Sequence, residues 1–431
     1  MMEQLLEIAK KVSDKAEVYS TDSRGDSVSF EDAHLKDVQS SMQSGICLRI
    51  IKNNTLGFAY TKNLVNREEL TKNALDSLKG GVEGLFELPL TKDLQSLDTY
   101  DPLIETLTNS AIVEECSRVC EFLSHRTKGQ INISAYRSIS SKRIINSSGT
   151  DLPLKSSAYI LNAQVLYPYS YASLYRTLKS KSFKKASDEY LDYLVDTYNL
   201  SMREITPDKN KMKVLFLPET VYVLMWRLQS ATSGMSIYQN ISPVAEKMGE
   251  RIFDEKLSIF NEPLNDSLPG AGAFDDEGTP CSRFPVIERG ILRNFYYDLY
   301  FAQKLKTSPT GHGFKGSVSS KPLPSLSHLT ILPGNTSFSD LIRSIDSGII
   351  IAGALGAHSG NIPNGDFSIG VSPALYIENG EIVGNVKDVM VAGNIYDTLK
   401  NIVEIENTLH PCYGGTFPSL LFDNVKVTIK K

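Results

Sequence analysis

The chain of 431 residues lacks several things, and each lack excludes a class of protein. It has no long apolar run. The most apolar stretches, Val214 to Leu217 and Ile349 to Leu355, fall far short of the ~20 residues that span a bilayer. It is poor in cysteine, with five widely spaced residues, so a disulfide framework is not expected. It has no excess of positive charge. Asp and Glu number 50 against 45 Lys and Arg, which argues against a dedicated binder of nucleic acid or anionic membrane. No sequence period marks a solenoid or propeller. At Met1 to Ala16, charged residues are scattered among Leu5, Leu6, Ile8 and Val12. This predicts an amphipathic helix rather than an export signal, and a cytoplasmic protein.

Chemical motifs are also missing. The six histidines are followed by Leu35, Arg126, Gly313, Leu329, Ser359 and Pro411, so no His-Glu pair exists to start a metalloprotease helix. There is no Walker loop and no G-x-S-x-G elbow. Gly311-His312-Gly313-Phe314-Lys315-Gly316 matches a dinucleotide fingerprint by letters. It follows Ser308-Pro309-Thr310 rather than a strand, so it reads as a flexible glycine loop. Cys116 and Cys120 share a helix face with no third ligand and read as buried thiols. His410 and Cys412 are two soft donors that nothing local completes.

What is present is a mixed pattern. Short β-rich runs through residue 60, broken by Gly, Asn and Asp, read as an antiparallel meander with a hairpin turn at Lys52-Asn53-Asn54-Thr55. Helices are expected at about 67–77, 111–125, 187–200 and 218–231. Strands are expected at 131–138, 143–146 and 158–166, with a Ser147-Ser148-Gly149 turn. The fold class is α+β: antiparallel-sheet N-terminal (1–88) and middle (103–205) units, then a larger β-rich C-terminal domain (211–431). Tyr167 to Lys185 interleaves Tyr167, Tyr169, Tyr171, Tyr175 and Phe183 with Arg176, Lys179, Lys181, Lys184 and Lys185. It reads as a strand end with a solvated loop, or as a contact surface for nucleic acid or peptide. Two polar glycine-bearing loops are substrate-cleft candidates. One carries Asp275, Asp276 and Glu277; the other carries His358, Asn361, Gly365 and Asp366. Each reads as a turn or as a site, and both are expected to line one cleft.

In order and spacing, several segments resemble the TldD/PmbA family, called modulators of DNA gyrase, in its PmbA (TldE) branch. They are Ala16-Glu17-Val18-Tyr19, Gly45-Ile46-Cys47-Leu48-Arg49 through Thr61, Asn146-Ser147-Ser148-Gly149, Leu217-Pro218-Glu219, Asp275-Asp276-Glu277-Gly278, Gly360-Asn361 with Gly365-Asp366-Phe367-Ser368, Tyr376 to Gly380, and Ala392-Gly393-Asn394. The resemblance implies a subunit of a cytosolic two-component zinc metalloprotease that degrades unfolded or modified peptides or matures them. In that family the TldD-type chain carries His-Glu-x-x-x-His on a helix plus a distant cysteine ligand. Here Met225, Trp226 and Ser230 fall at the degenerate metal-helix positions, and Cys412 falls near the cysteine. The chain is therefore expected to bind no metal and to be inactive alone as a metallopeptidase. Zinc belongs to a TldD-type partner. The alternatives are a stand-alone peptide-binding homodimer and a gyrase-linked regulator.

Overall fold

The computed structural model describes residues 1–168, 172–207 and 212–430. The first helix is shorter than expected: α1 is Met2–Lys10, and strand β1 (Lys15–Glu31) begins soon after. Met2, Leu5, Leu6 and Ala9 form its buried stripe, the i, i+3, i+4, i+7 spacing of one helix face.

The short runs of the first region are continuous strands: β1, β2 (His34–Lys52) and β3 (Thr55–Thr61). Gly25, which lies between two of the expected runs, sits within the ladder. Its missing side chain leaves room for Tyr136, whose hydroxyl lies 2.6 Å from where a Cβ would stand. The Asn53-Asn54 turn is as expected, both residues having positive φ. Helix α2 (Arg67–Ser77) also stands where expected, capped by the Asn66 side chain.

After the short α3 (Leu103–Thr106), α4 (Asn109–Ser124) starts at a Thr108 cap. Strands β4 (Gln130–Asn146) and β5 (Asp151–Leu166) flank the Ser147-Ser148-Gly149 turn. The two strands expected at 131–138 and 143–146 are therefore one. Strand β6 (Ser173–Ser180) and helix α5 (Asp188–Ser201) follow. The six strands form one antiparallel sheet in the order β3-β2-β1-β4-β5-β6. The regions 1–88 and 103–205 thus give three strands each to a shared sheet, joined from Glu17 opposite Asn146 to Phe30 opposite Ile133.

The C-terminal region starts with β7 (Lys213–Phe216) and α6 (Pro218–Thr232). Strand β7 lies inside a six-stranded sheet, parallel to Ser347–Ile351 and antiparallel to Leu420–Phe422. A second six-stranded sheet includes Ile259–Asn261, Phe284–Glu288 and His410–Cys412, and a four-stranded sheet is built on Asp366–Val371 and Val389–Asn394. Side chains alternate along β7. Val214 and Phe216 pack with Val221, Leu224 and Leu228 of α6, whereas Leu215 joins the core of α4, α5 and the N-terminal sheet. One strand therefore gives side chains to two separate cores, one on each of its faces. Among the described residues, no helix is long and apolar enough to cross a membrane.

Candidate functional site

Helix α6 starts at Pro218, whose fixed φ suits a first helical position. Its residues are buried except along one stripe of Tyr222, Trp226, Gln229 and Ser230. Trp226 is 43 % exposed, and the Tyr413 ring stands edge-on to Tyr222 at 5.5 Å. Of the three residues expected at the degenerate metal-helix positions, Met225 faces the core, while Trp226 and Ser230 lie on the open stripe.

Cys412 lies against the start of α6, donating its thiol proton to the Pro218 carbonyl at 3.3 Å. Burial pushes that thiol up to about 12, and the Glu219 charge adds to the effect. His410 does not pair with Cys412; its Nε2 faces Glu406 at 3.1 Å. These donors do not fit a zinc ion. A buried thioether, an indole N–H and a hydroxyl are poor ligands, which leaves the one Cys412 thiol where a zinc site needs three or four converging good ones. Among the described residues, no group of three His, Cys, Asp or Glu is placed to hold a metal.

The same helix carries a residue whose importance the sequence reading missed. Arg227, fully buried, sends Nε to the Asp366 carbonyl (2.6 Å), Nη1 to Val223 (2.7 Å) and Nη2 to Ala357 (3.0 Å) and Ser359 (2.7 Å). It ties the 357–366 loop to α6. The available signal was a lone cation in a helix otherwise apolar nearly all round. Within that loop, His358 and Asn361 are exposed. Gly365 adopts φ +86, where a Cβ would meet Tyr396 at 2.8 Å. Asp366 accepts from Asn394 Nδ2 at 2.9 Å.

The other loop stands in different surroundings, against the N-terminal sheet. Asp275 accepts from Glu277 N, Thr279 N and Gly313 N. Burial raises its pKa and the Glu277 charge adds to this, while those three N–H donors pull the other way. Asp276 pairs with Lys142 Nζ at 2.8 Å and accepts from Lys315 N at 3.0 Å. Glu277 takes Arg49 Nη1 at 2.5 Å and Leu299 N at 2.7 Å. Arg49 Nη2 reaches Glu17 at 2.7 Å. Asp276 and Glu277 thus fasten the C-terminal region to Lys142 of β4 and Arg49 of β2, and Arg49 carries the link on to Glu17 of β1, while Asp275 braces the loop itself. Among the described residues, no hydrogen bond or ion pair joins this loop to the 357–366 loop, which is held on α6 instead. The signal for Arg49 was a cation inside the apolar run from Ile46 to Ile50.

The Gly311 to Gly316 segment is not a free glycine loop at its start: Gly311, His312 and Gly313 are buried. A Cβ on Gly313 would stand 2.2 Å from Glu277 Oε2, so this glycine admits the acidic loop. His312 packs on Phe284, and burial holds its pKa down to about 4. Several described residues of the Tyr167 to Lys185 segment are packed, while Lys184 and Lys185 are exposed. Tyr167 stacks on Tyr198, Phe183 stands edge-on to Tyr159, Tyr175 donates to the Glu219 carbonyl, Arg176 lies over Tyr190 and Tyr193, and Lys179 donates to the Cys412 carbonyl. Tyr169 and Tyr171 lie outside the described residues.

Comparison with known proteins bears on these features. Residues 209–429 match the family model described as the PmbA/TldA metallopeptidase C-terminal domain, and residues 16–78 match PmbA/TldA metallopeptidase domain 1. A metalloprotease of Methanocaldococcus jannaschii is 26 % identical over 412 residues, covering 92 % of this chain and 90 % of that relative. A metalloprotease PmbA homologue of Haemophilus influenzae is 24 % identical over 448 residues, covering 98 % and 94 %. The crystal structure of TldE from Thermococcus kodakarensis superposes with a TM-score of 0.91 at 23 % identity, covering 99 % of both chains, and so shares the fold.

Proposed function

This chain belongs to the PmbA/TldD metallopeptidase family, and from that membership we propose that it is a TldE-like, non-catalytic subunit. It works with a zinc-bearing TldD-type chain on unfolded or modified peptides. One observation carries the reading. At the positions where the catalytic branch is expected to hold His-Glu-x-x-x-His, α6 has Met225 turned into the core and Trp226 and Ser230 outside, and the Cys412 thiol is bonded to the Pro218 carbonyl. Peptide hydrolysis needs a polarised carbonyl and an activated water, and Met225, Trp226 and Ser230 offer neither ligand nor base for them at those positions.

The open stripe of α6 supports a partnered role. Tyr222, Trp226 and Tyr413 form a patch of aromatic surface, the residue types favoured at interface centres. The test is co-expression with a TldD-type chain of the same organism. The expected result is a stable heteromeric complex on gel filtration. Recovery of this chain only as a self-associated species would instead favour the stand-alone homodimer.

A further inference from the structure

One face of the N-terminal sheet is polar but nearly uncharged. Two adjacent rows of cross-strand neighbours run over it from β2 to β6. One row is Asp37, Ser29, Ser134, Asn162 and Thr177; the other is Gln39, Ser27, Tyr136, Ile160 and Lys179. Thr177 Oγ1 donates to Asn162 Oδ1 at 2.8 Å and Asn162 Nδ2 donates to Ser134 Oγ at 3.4 Å, so these side chains share a face. Residues between them along the strands, among them Val28, Ile133, Ala135 and Leu161, point the other way into the core. The only charges in the two rows are Asp37, exposed at the β2 end, and Lys179, half-buried at the β6 end. Lys179 Nζ donates to the Cys412 carbonyl at 3.0 Å, and among the described residues no carboxylate pairs with it. Lys142 and Arg176, by contrast, reach Asp276 and Glu219. Burial pushes the Cys412 thiol up and the His328 imidazole down, so neither neighbour supplies a charge to Lys179.

We propose that this face holds an extended peptide whose terminal α-carboxylate sits on Lys179 Nζ. A cation drawn out of water calls for an anion, and an ammonium that gives one N–H to a carbonyl keeps two more for a carboxylate. Burial lowers the Lys179 pKa, and a carboxylate alongside would raise it again. Hydroxyl and amide side chains donate as well as accept, so they suit the alternating N–H and C=O groups of an extended main chain and select no charged side chain. The face also adjoins the open stripe of α6. Tyr175, on the same side of β6 as Lys179, donates to the Glu219 carbonyl, and Cys412 leads into the exposed Tyr413 beside Tyr222. The choice of a peptide as occupant rests on the peptide-processing reading above. Its carboxylate has two sources, the chain terminus and an Asp or Glu side chain, and the proposal commits to the terminus.

The test is calorimetric titration of the whole chain with an N-acetylated Ala/Ser peptide as the free acid, as the C-terminal amide, and as the amide carrying one internal Glu, with acetate as a further probe. The free acid should bind at least about tenfold more tightly than the plain amide. Lys179→Met should erase that preference, and Lys179→Arg, which keeps the charge, should retain part of it. Four results would overturn the proposal: acid and plain amide binding alike or not at all, an undiminished preference in folded Lys179→Met, the Glu-bearing amide binding as tightly as the acid, or acetate binding as tightly as the peptide. The third would move the site to side-chain carboxylates, and the fourth would leave the sheet face no part in binding. No partner chain enters these titrations, so their failure would leave the subunit reading to its own co-expression test.

Discussion

Arg49 and Glu277 are 228 residues apart in the chain and meet at 2.5 Å with both side chains buried. That contact, with Glu17 on the guanidinium's other side, fastens the acidic loop to the N-terminal sheet. Replacing Arg49 by Met should leave two carboxylates buried without their cation. A loss of about 3 to 5 kcal/mol in denaturant unfolding is expected. Adding Glu277→Gln should recover part of it, so the two changes should be non-additive. A loss under about 1 kcal/mol in the single variant would contradict this view.

Arg227 is the second long-range fastener. Arg227→Met should release the 357–366 loop from α6 and cost about 2 to 3 kcal/mol, since three part-buried loop carbonyls lose a charged donor. Limited proteolysis should then cut within 357–366 before anywhere else. Wild-type stability with an uncut loop would show that the loop is held by other contacts.

His312 sets an acid limit. Its pKa in the folded chain is held down to about 4, below the ordinary value of 6.5, so between these values the unfolded chain binds the extra proton. Its contribution to stability is complete above pH 6.5 and is lost as pH falls toward 4, amounting to about 3 kcal/mol. Unfolding measured at several pH values should show a shallower slope across this window for His312→Gln. An unchanged slope would mean that the imidazole titrates normally.

All five cysteines are buried, and burial pushes Cys412, Cys116 and Cys120 up to about 12. Thiolate is the reactive form. Native protein should therefore show no fast-reacting thiol toward a disulfide reagent at pH 8, and denatured protein should show all five. Rapid modification of Cys412 in the native chain would mean that it is accessible and ionised, and would reopen it as a ligand.

The elements that could be read in the sequence are those with local signals. Asn53-Asn54 names its own turn, Asn66 and Thr108 cap their helices, and Pro218 opens α6. The strand lengths could not be read, because Gly25 and the serines near Ser138 look like breaks until a neighbouring strand takes their backbone groups. The shared first sheet was hidden for the same reason, since β1 pairs with a strand more than a hundred residues away. Of the candidate site, the sequence names Met225, Trp226 and Ser230 but does not tell that the first faces the core and the other two the open stripe. The roles of Arg227 and Arg49 depend on partners distant in sequence, which composition does not reveal.

On the proposed reading, this chain contributes to peptide hydrolysis only with a metal-bearing partner. The most direct measurement is hydrolysis of an unfolded peptide by this chain alone, by a TldD-type chain alone, and by the two mixed, each with and without a chelator. The account predicts no cleavage by this chain alone. It also predicts that the mixture cleaves, and that a chelator or loss of the partner's histidines abolishes that cleavage. Cleavage by the repurified chain alone, surviving Trp226→Ala, would contradict it.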